Sequence, residues 1–188
     1  MSKNYKAIHY IQNKLKNYNP NFVKCVLRQF EMIDSTEEPD GGMSNSAVLY
    51  ICAKEYGYNP KLCYGLCGYE DKKFYHTWLE IDDIVIDLSI YGYTNFGLFS
   101  CFFTNKMEVP YIGPYKNDKV QYGRFRFDED WSHAAISFVE GLSLEKYMDG
   151  LPENAMWKYL CIIMDKEPSI EFVNHCRKLI ADVNITRE

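Results

Sequence analysis

The spacing of the hydrophobic residues changes near Asn59-Pro60, and this change constrains the class of fold. Before this point, apolar residues recur at intervals of three and four, which is typical of helices with one buried face. After it, the pattern has a period of two over residues 61–69, 73–82 and 84–91, which predicts three strands. Helices followed by neighbouring strands favour an α+β fold, in which a central helix packs on an antiparallel sheet.

The central helix is predicted to begin at Ser44 or Asn45, either of which can cap a helix, and to end near Gly57. It is apolar on most sides, so we expect it to be buried. Asp82-Asp83 fits a tight hairpin turn between the second and third strands. Residues 92–127 are rich in aromatic side chains and glycines, and they predict further strands or a long loop that covers the sheet.

Helices are also predicted on both sides of this core. They cover residues 3–18 and 21–34 before it, and residues 131–148, 153–165 and 169–183 after it. A chain of 188 residues favours one domain. We divide that domain into N-terminal helices over 1–35, a helix-and-sheet core over 40–127 and C-terminal helices over 128–188.

Charge and cysteine content argue against several classes of protein. With 21 Lys+Arg against 26 Asp+Glu, the net charge is −5, which is unfavourable for binding a nucleic-acid backbone. The sequence contains no run of 18 apolar residues, so no membrane-spanning helix is predicted. It also lacks the apolar segment after Met1 that a secretory signal would contain. Seven irregularly spaced cysteines indicate free thiols in a reducing compartment, so we expect a cytoplasmic protein with no nucleic-acid or membrane partner.

Two side chains of the predicted hairpin form a candidate catalytic pair. His76 lies on the second strand, six residues before Asp82, and Asp87 lies on the third, four residues after Asp83. The two are therefore expected to be near-neighbours, diagonal or offset by a bulge. A carboxylate in that position can hold one imidazole nitrogen and leave the other to act as a base.

A nucleophile would complete a triad with this pair. It is expected at a helix N-terminus, where the helix dipole stabilises an anion. The predicted central helix places Ser44 there, with Ser46 as the other hydroxyl nearby. Each residue also has a purely structural interpretation: Ser44 as a helix cap, His76 as a half-buried strand residue and Asp87 as a turn cap.

The segments DGGMSNSAVLYICAKEYGYNPKLCYG and FYHTWLEIDDIVIDLSIYG resemble the transglutaminase-like cysteine protease superfamily, which has a papain-like fold. That superfamily has a glycine-rich turn into a helix headed by Cys, then a strand with His-x-Trp-x-Glu and a strand with Asp. The resemblance implies acyl transfer from a peptide, protein or other amide to water or an amine, without a metal or cofactor. It assigns catalysis to Ser44, His76 and Asp87, and it places Trp78 near the substrate.

The chain departs from the superfamily at the nucleophile. Ser44 stands where the superfamily has Cys, or Met43 does if the gap is placed one residue earlier. Three explanations stay open: an engineered Cys-to-Ser change, a natural serine variant, or an inactive relative retained for binding. The expected function is therefore acyl transfer through a Cys/Ser-His-Asp triad, and the alternative is a catalytically inactive binding or regulatory protein on the same fold.

Other patterns carry weaker predictions. Trp78 is expected in the core or in a groove wall, and Glu80 at a solvated strand position. Cys63, Cys67 and His76 could bind zinc only with a fourth ligand. The aromatic stretch 91–103 predicts a satellite core, or else a groove for peptide or acyl groups. Residues 124–127 (RFRF) predict an edge strand with one wet face. A toxin or anti-defence factor is compatible with the size and charge, although no motif argues for it.

Overall fold

The computed structural model describes residues 4–37, 41–96, 100–123 and 141–183, and it confirms the predicted α+β class. The helices are α1 (Tyr5–Lys14), α2 (Pro20–Thr36), α3 (Gly42–Glu55), α4 (Ser89–Asn95), α5 (Leu144–Asp149), α6 (Ala155–Met164) and α7 (Ile170–Ile180). The strands are β1 (Lys61–Tyr69), β2 (Lys72–Ile81), β3 (Ile84–Asp87), β4 (Tyr111–Gly113) and β5 (Val120–Gly123). Short 3₁₀ turns cover Ser100–Phe102 and Pro152–Asn154.

The five strands form one antiparallel sheet in the order β4-β3-β2-β1-β5. The sheet is curled, and its two edge strands therefore lie close to each other. The rings of Tyr111 on β4 and Tyr122 on β5 have centroids 5.3 Å apart, although three strands lie between them in the hydrogen-bonded order. The curl encloses a small second core around Trp78.

Helix α3 is the centre of the main core, as its sequence predicts. Every residue from Asn45 to Ala53 is buried, so all sides of the helix are covered. One sheet face supplies Leu79, Ile81, Ile86 and Ile112 to this core, and residues of helices α1, α2, α4, α5, α6 and α7 pack around them. Burial on all sides explains why the sequence of α3 lacks a polar face.

The third strand is shorter than predicted. The pattern of residues 84–91 predicted a strand throughout, but β3 ends at Asp87 and residues 89–95 form α4. The side chain of Asp87 accepts a hydrogen bond from the Ile90 backbone N–H at 3.0 Å. A carboxylate that accepts an N–H three residues later stabilises the start of a helix, and this local bond turns the chain away from the sheet.

The remaining predicted elements agree with the structure to different extents. The observed α1 and α7 are shorter than the predicted helices. The described residues between 92 and 123 contain the end of α4, a 3₁₀ turn, two short strands and loops. Of the predicted helix 131–148, residues 144–148 are helical, whereas residues 131–140 lie outside the described residues, as does the predicted edge strand 124–127. No helix within the described ranges has both the length and the apolar character needed to cross a membrane.

Gly65 on β1 makes room for the indole of Trp78. A Cβ atom at position 65 would lie 3.0 Å from Cη2 of Trp78, whereas a Cβ at Gly68 on the same strand would have no neighbour closer than 3.8 Å. We therefore expect Gly65→Ala to lower the free energy of unfolding by about 1–3 kcal/mol, because the fully buried indole cannot move away. Urea denaturation of both variants measures this, and an equal loss in Gly68→Ala would contradict the steric explanation.

Candidate functional site

His76, in the middle of β2, and Asp87, at the end of β3, form a buried pair. The imidazole Nε2 lies 3.0 Å from Oδ1 and 2.9 Å from Oδ2 of the carboxylate. Their side chains are 5% and 0% exposed. The hairpin register places Leu79 opposite Ile86, so Asp87 is a diagonal neighbour of His76. The structure therefore brings together the two side chains that were predicted to be close by counting residues from the hairpin turn.

Two further donors hold the Asp87 carboxylate in place. The hydroxyl of Tyr122 donates to Oδ2 at 2.8 Å, and the N–H of Ile90 donates to Oδ1 at 3.0 Å. Burial, followed by the nearby charge of Asp87, raises the pKa of Tyr122 well above its usual value, so its phenol stays protonated and donates. Sequence reasoning missed Tyr122, because it lies 35 residues beyond Asp87 on a strand that only the folded sheet brings close.

The second imidazole nitrogen, Nδ1, lies near the start of α3. A Cβ atom at Gly42 would be 3.6 Å from Nδ1 and 3.5 Å from Cε1 of His76. Within the described part of the chain, Nδ1 makes no hydrogen bond. The first backbone N–H groups of a helix have no partner inside that helix, and Gly41 before them has no side chain to cap them. Among the described residues, an imidazole nitrogen without a hydrogen bond therefore lies near the end of a helix whose first N–H groups the helix itself does not use.

The short third strand explains why α3 can begin there. Because β3 pairs with β2 only from Leu79 onwards, the edge of β2 at Thr77 is not covered by a strand. The hydroxyl of Ser46 donates to the Thr77 carbonyl at 3.0 Å and attaches the first turns of α3 to this edge. This bond also occupies the second hydroxyl that the sequence placed near the helix start.

The hydroxyl of Ser44, the nucleophile predicted from the sequence, has a hydrogen-bond partner other than His76. The Ser44 hydroxyl lies 2.9 Å from the hydroxyl of Tyr147 on α5, and no hydrogen bond joins it to His76 among the described residues. The predicted helix began at position 44, whereas α3 begins at Gly42. An α-helix turns by about 100° per residue, so position 44 points about 200° away from position 42. The position that faces the imidazole is Gly42.

Trp78 lies in the second core and not on an open groove. Its side chain is fully buried, and its indole N–H donates to Oε1 of Glu80 at 2.8 Å. Glu80, predicted to be solvated, is only 5% exposed, and the Cys63 thiol also donates to it at 3.1 Å. A buried carboxylate needs such donors, which explains why the two residues occur together on one face of β2.

The zinc alternative has no support from the side chains that the structure describes. Cys63 donates to Glu80, and burial raises the pKa of the Cys67 thiol well above its usual value, which disfavours the thiolate that a metal needs. Across residues 4–37, 41–96, 100–123 and 141–183, no group of three His, Cys, Asp or Glu side chains is arranged to hold a metal ion.

Aromatic rings lie beside the imidazole. Phe74 precedes His76 by two residues on β2, and its ring meets the imidazole edge-on, with centroids 5.6 Å apart. Tyr93 from α4 stacks on Phe74 at 4.4 Å, and its ring centroid is 6.1 Å from that of His76. The aromatic stretch 91–103 thus contributes to the surroundings of the site through Tyr93.

These features define a class of site: a histidine oriented by a buried carboxylate, with its free nitrogen directed at the N-terminus of a buried helix. Such a site can accept or donate a proton at Nδ1 and can stabilise an oxygen that carries negative charge at the helix N–H groups. Comparison of the chain with protein-family models, with curated proteins and with solved structures gave no match.

Proposed function

We propose that this protein has a transglutaminase-like site on a papain-like fold, and that it binds acyl compounds without forming a covalent acyl intermediate. The fold proposal is supported by a central buried helix on a curled antiparallel sheet, with His76 and Asp87 on successive strands. The observation that carries the functional proposal is the glycine at position 42, whose missing side chain would face Nδ1 of His76.

Covalent acyl transfer needs a side-chain nucleophile within reach of the base. Gly42 has none. The Ser44 hydroxyl is hydrogen-bonded to the Tyr147 hydroxyl, and the Ser46 hydroxyl donates a hydrogen bond to the Thr77 carbonyl. These contacts favour the binding or regulatory alternative over catalysis through a hydroxyl at position 44.

The site is chemically complementary to an amide. Because Nε2 faces a carboxylate, the neutral imidazole carries its proton there and offers Nδ1 as an acceptor. An amide N–H can donate to Nδ1, while the amide carbonyl can accept from the free N–H groups at the start of α3. Both halves of one amide group would then be satisfied by groups whose positions are fixed by the fold.

Hydrolysis by an activated water is the second candidate. It is favoured by the free Nδ1 and by the three hydrogen bonds that fix Asp87, since a base held in this way can take a proton from water. In this reaction the water oxygen attacks the carbonyl carbon and one water proton moves to Nδ1. The C–N bond then breaks as the amine takes that proton from Nδ1, which leaves a carboxylic acid and a free amine.

One experiment tests both candidates. N-acetyl amino-acid amides are added to the protein, and NMR follows the imidazole resonances of His76 and the backbone N–H of Gly42 while the same samples are assayed for free amine. We expect saturable shifts of both signals and no amine release, and we expect the Gly42 shift to be lost in His76→Ala. Amine release that disappears in His76→Ala would establish the second candidate. Absence of any shift would overturn the proposed function.

A further inference from the structure

Two aromatic rings from different parts of the fold lie beside His76. Phe74 comes from the sheet and Tyr93 from α4, and their rings stack at 4.4 Å with an interplanar angle of 19°. Both rings lie against the imidazole, at 5.6 Å and 6.1 Å between centroids. A strand and a helix therefore each place an aromatic ring beside His76.

A third ring supports this pair from behind. Phe103 contacts Phe74 at 5.8 Å and Tyr93 at 5.9 Å, and it packs in turn on Tyr69 at 5.7 Å. Phe103 is 6% exposed, whereas Phe74 and Tyr93 are each partly exposed. The Phe74–Tyr93 pair therefore packs on a buried ring, while part of its own aromatic surface is exposed.

Exposure increases along one face of β2 towards this pair. Trp78 is 0% exposed and His76 is 6% exposed, while Phe74, at the next position on the same face, is partly exposed. Side chains two residues apart on a strand point the same way, so the imidazole lies between the closed core and the accessible rings. Partly exposed aromatic surface therefore lies next to the imidazole whose Nδ1 is the proposed binding atom.

We infer that Phe74 and Tyr93 form an aromatic subsite that selects acyl compounds carrying an aromatic side chain next to the bound amide. This inference rests on the proposed function, because it assigns the group recognised beside the amide. Aromatic rings attract one another beyond simple burial of area, and such pairs strengthen binding by roughly three- to tenfold. The preferred ligand is an N-acylated aromatic amino-acid amide.

The test compares N-acetyl-phenylalaninamide, N-acetyl-leucinamide and N-acetyl-glycinamide on the full chain, with dissociation constants taken from the His76 NMR shifts. We expect the phenylalanine probe to bind at least about threefold more tightly than the leucine probe. Phe74→Leu should abolish this difference, so that the phenylalanine and leucine probes bind with similar affinity.

Tyr64→Leu is the matched control. Tyr64 stacks on Tyr75 at 6.0 Å in a second aromatic pair, but on the opposite face of β1 and β2 from His76. The Tyr64→Leu variant should retain the preference for the phenylalanine probe. Equal affinity of the wild-type protein for all three probes would overturn the aromatic subsite while the proposed function stands. Failure of all three probes to bind would overturn the proposed function itself.

Discussion

Gly42→Cys is expected to create a thiol that iodoacetamide alkylates at pH 6 at least about tenfold faster than any cysteine of the unmodified chain. The added side chain would start 3.6 Å from Nδ1 of His76 and at the N-terminus of α3. A neighbouring imidazolium and a helix N-terminus both lower the pKa of a thiol, whereas an ordinary thiol, with a pKa of about 8.5, is almost fully protonated at pH 6.

The fold can accept this substitution. The nearest atoms to the new Cβ are at 3.5 and 3.6 Å, which is ordinary van der Waals contact. Six of the seven natural cysteines are buried, and Cys101 is the exposed one, so it sets the background rate. Intact-mass spectrometry over time gives the rate, and peptide mapping identifies the alkylated position.

Two control variants make the result specific. Adding His76→Ala to Gly42→Cys removes the imidazole, and we expect the alkylation rate at pH 6 to fall to that of Cys101. Ser44→Cys places a thiol two residues further along α3, where the native hydroxyl contacts Tyr147, and we expect it to react at the background rate. A faster reaction in Ser44→Cys than in Gly42→Cys would restore position 44 as the nucleophile position predicted from the sequence.

The second large effect concerns stability. Asp87→Ala is expected to lower the free energy of unfolding by about 3 kcal/mol or more, because removal of the buried carboxylate leaves several buried donors without an acceptor. Three donors lose their acceptor at once: Nε2 of His76, the hydroxyl of Tyr122 and the N–H of Ile90. Urea denaturation followed by circular dichroism measures the loss.

A graded series separates this network from a general effect of charge removal. Asp87→Asn keeps one acceptor oxygen and should cost less than Asp87→Ala. Tyr122→Phe removes one donor and should cost about 1 kcal/mol. Asp182→Ala, at an exposed position, should be nearly neutral. A loss for Asp87→Ala no larger than that for Asp182→Ala would show that the carboxylate does not hold the site together.

Much of the sheet and half of the site could be predicted from local sequence. The alternation of residues 61–69 predicted β1 with its observed bounds. Asp82 and Asp83 form the predicted turn, with φ of 52° and 62°, a left-handed conformation that Asp tolerates better than most residues. Because a hairpin turn determines which residues face each other, the proximity of His76 and Asp87 followed from counting.

The difference between the predicted and the observed start of α3 has an equally local cause. Ser44 is a favourable helix-capping residue, so the pattern placed the start of α3 two residues too late. In a strand, an error of two residues leaves a side chain on the same face. In a helix, it turns the side chain by about 200°, which separates Ser44 from the position that faces the imidazole.

The sequence by itself determined the α+β class, the buried central helix and the His76–Asp87 pair, because hydrophobic period and turn residues act between near neighbours in the chain. Only the tertiary structure decided that Gly42 faces Nδ1 of His76, that Tyr122 donates to Asp87 and that Glu80 is buried beside Trp78. The reason is physical: these contacts depend on the rotation of α3 and on the curl of the sheet, and packing between distant segments sets both.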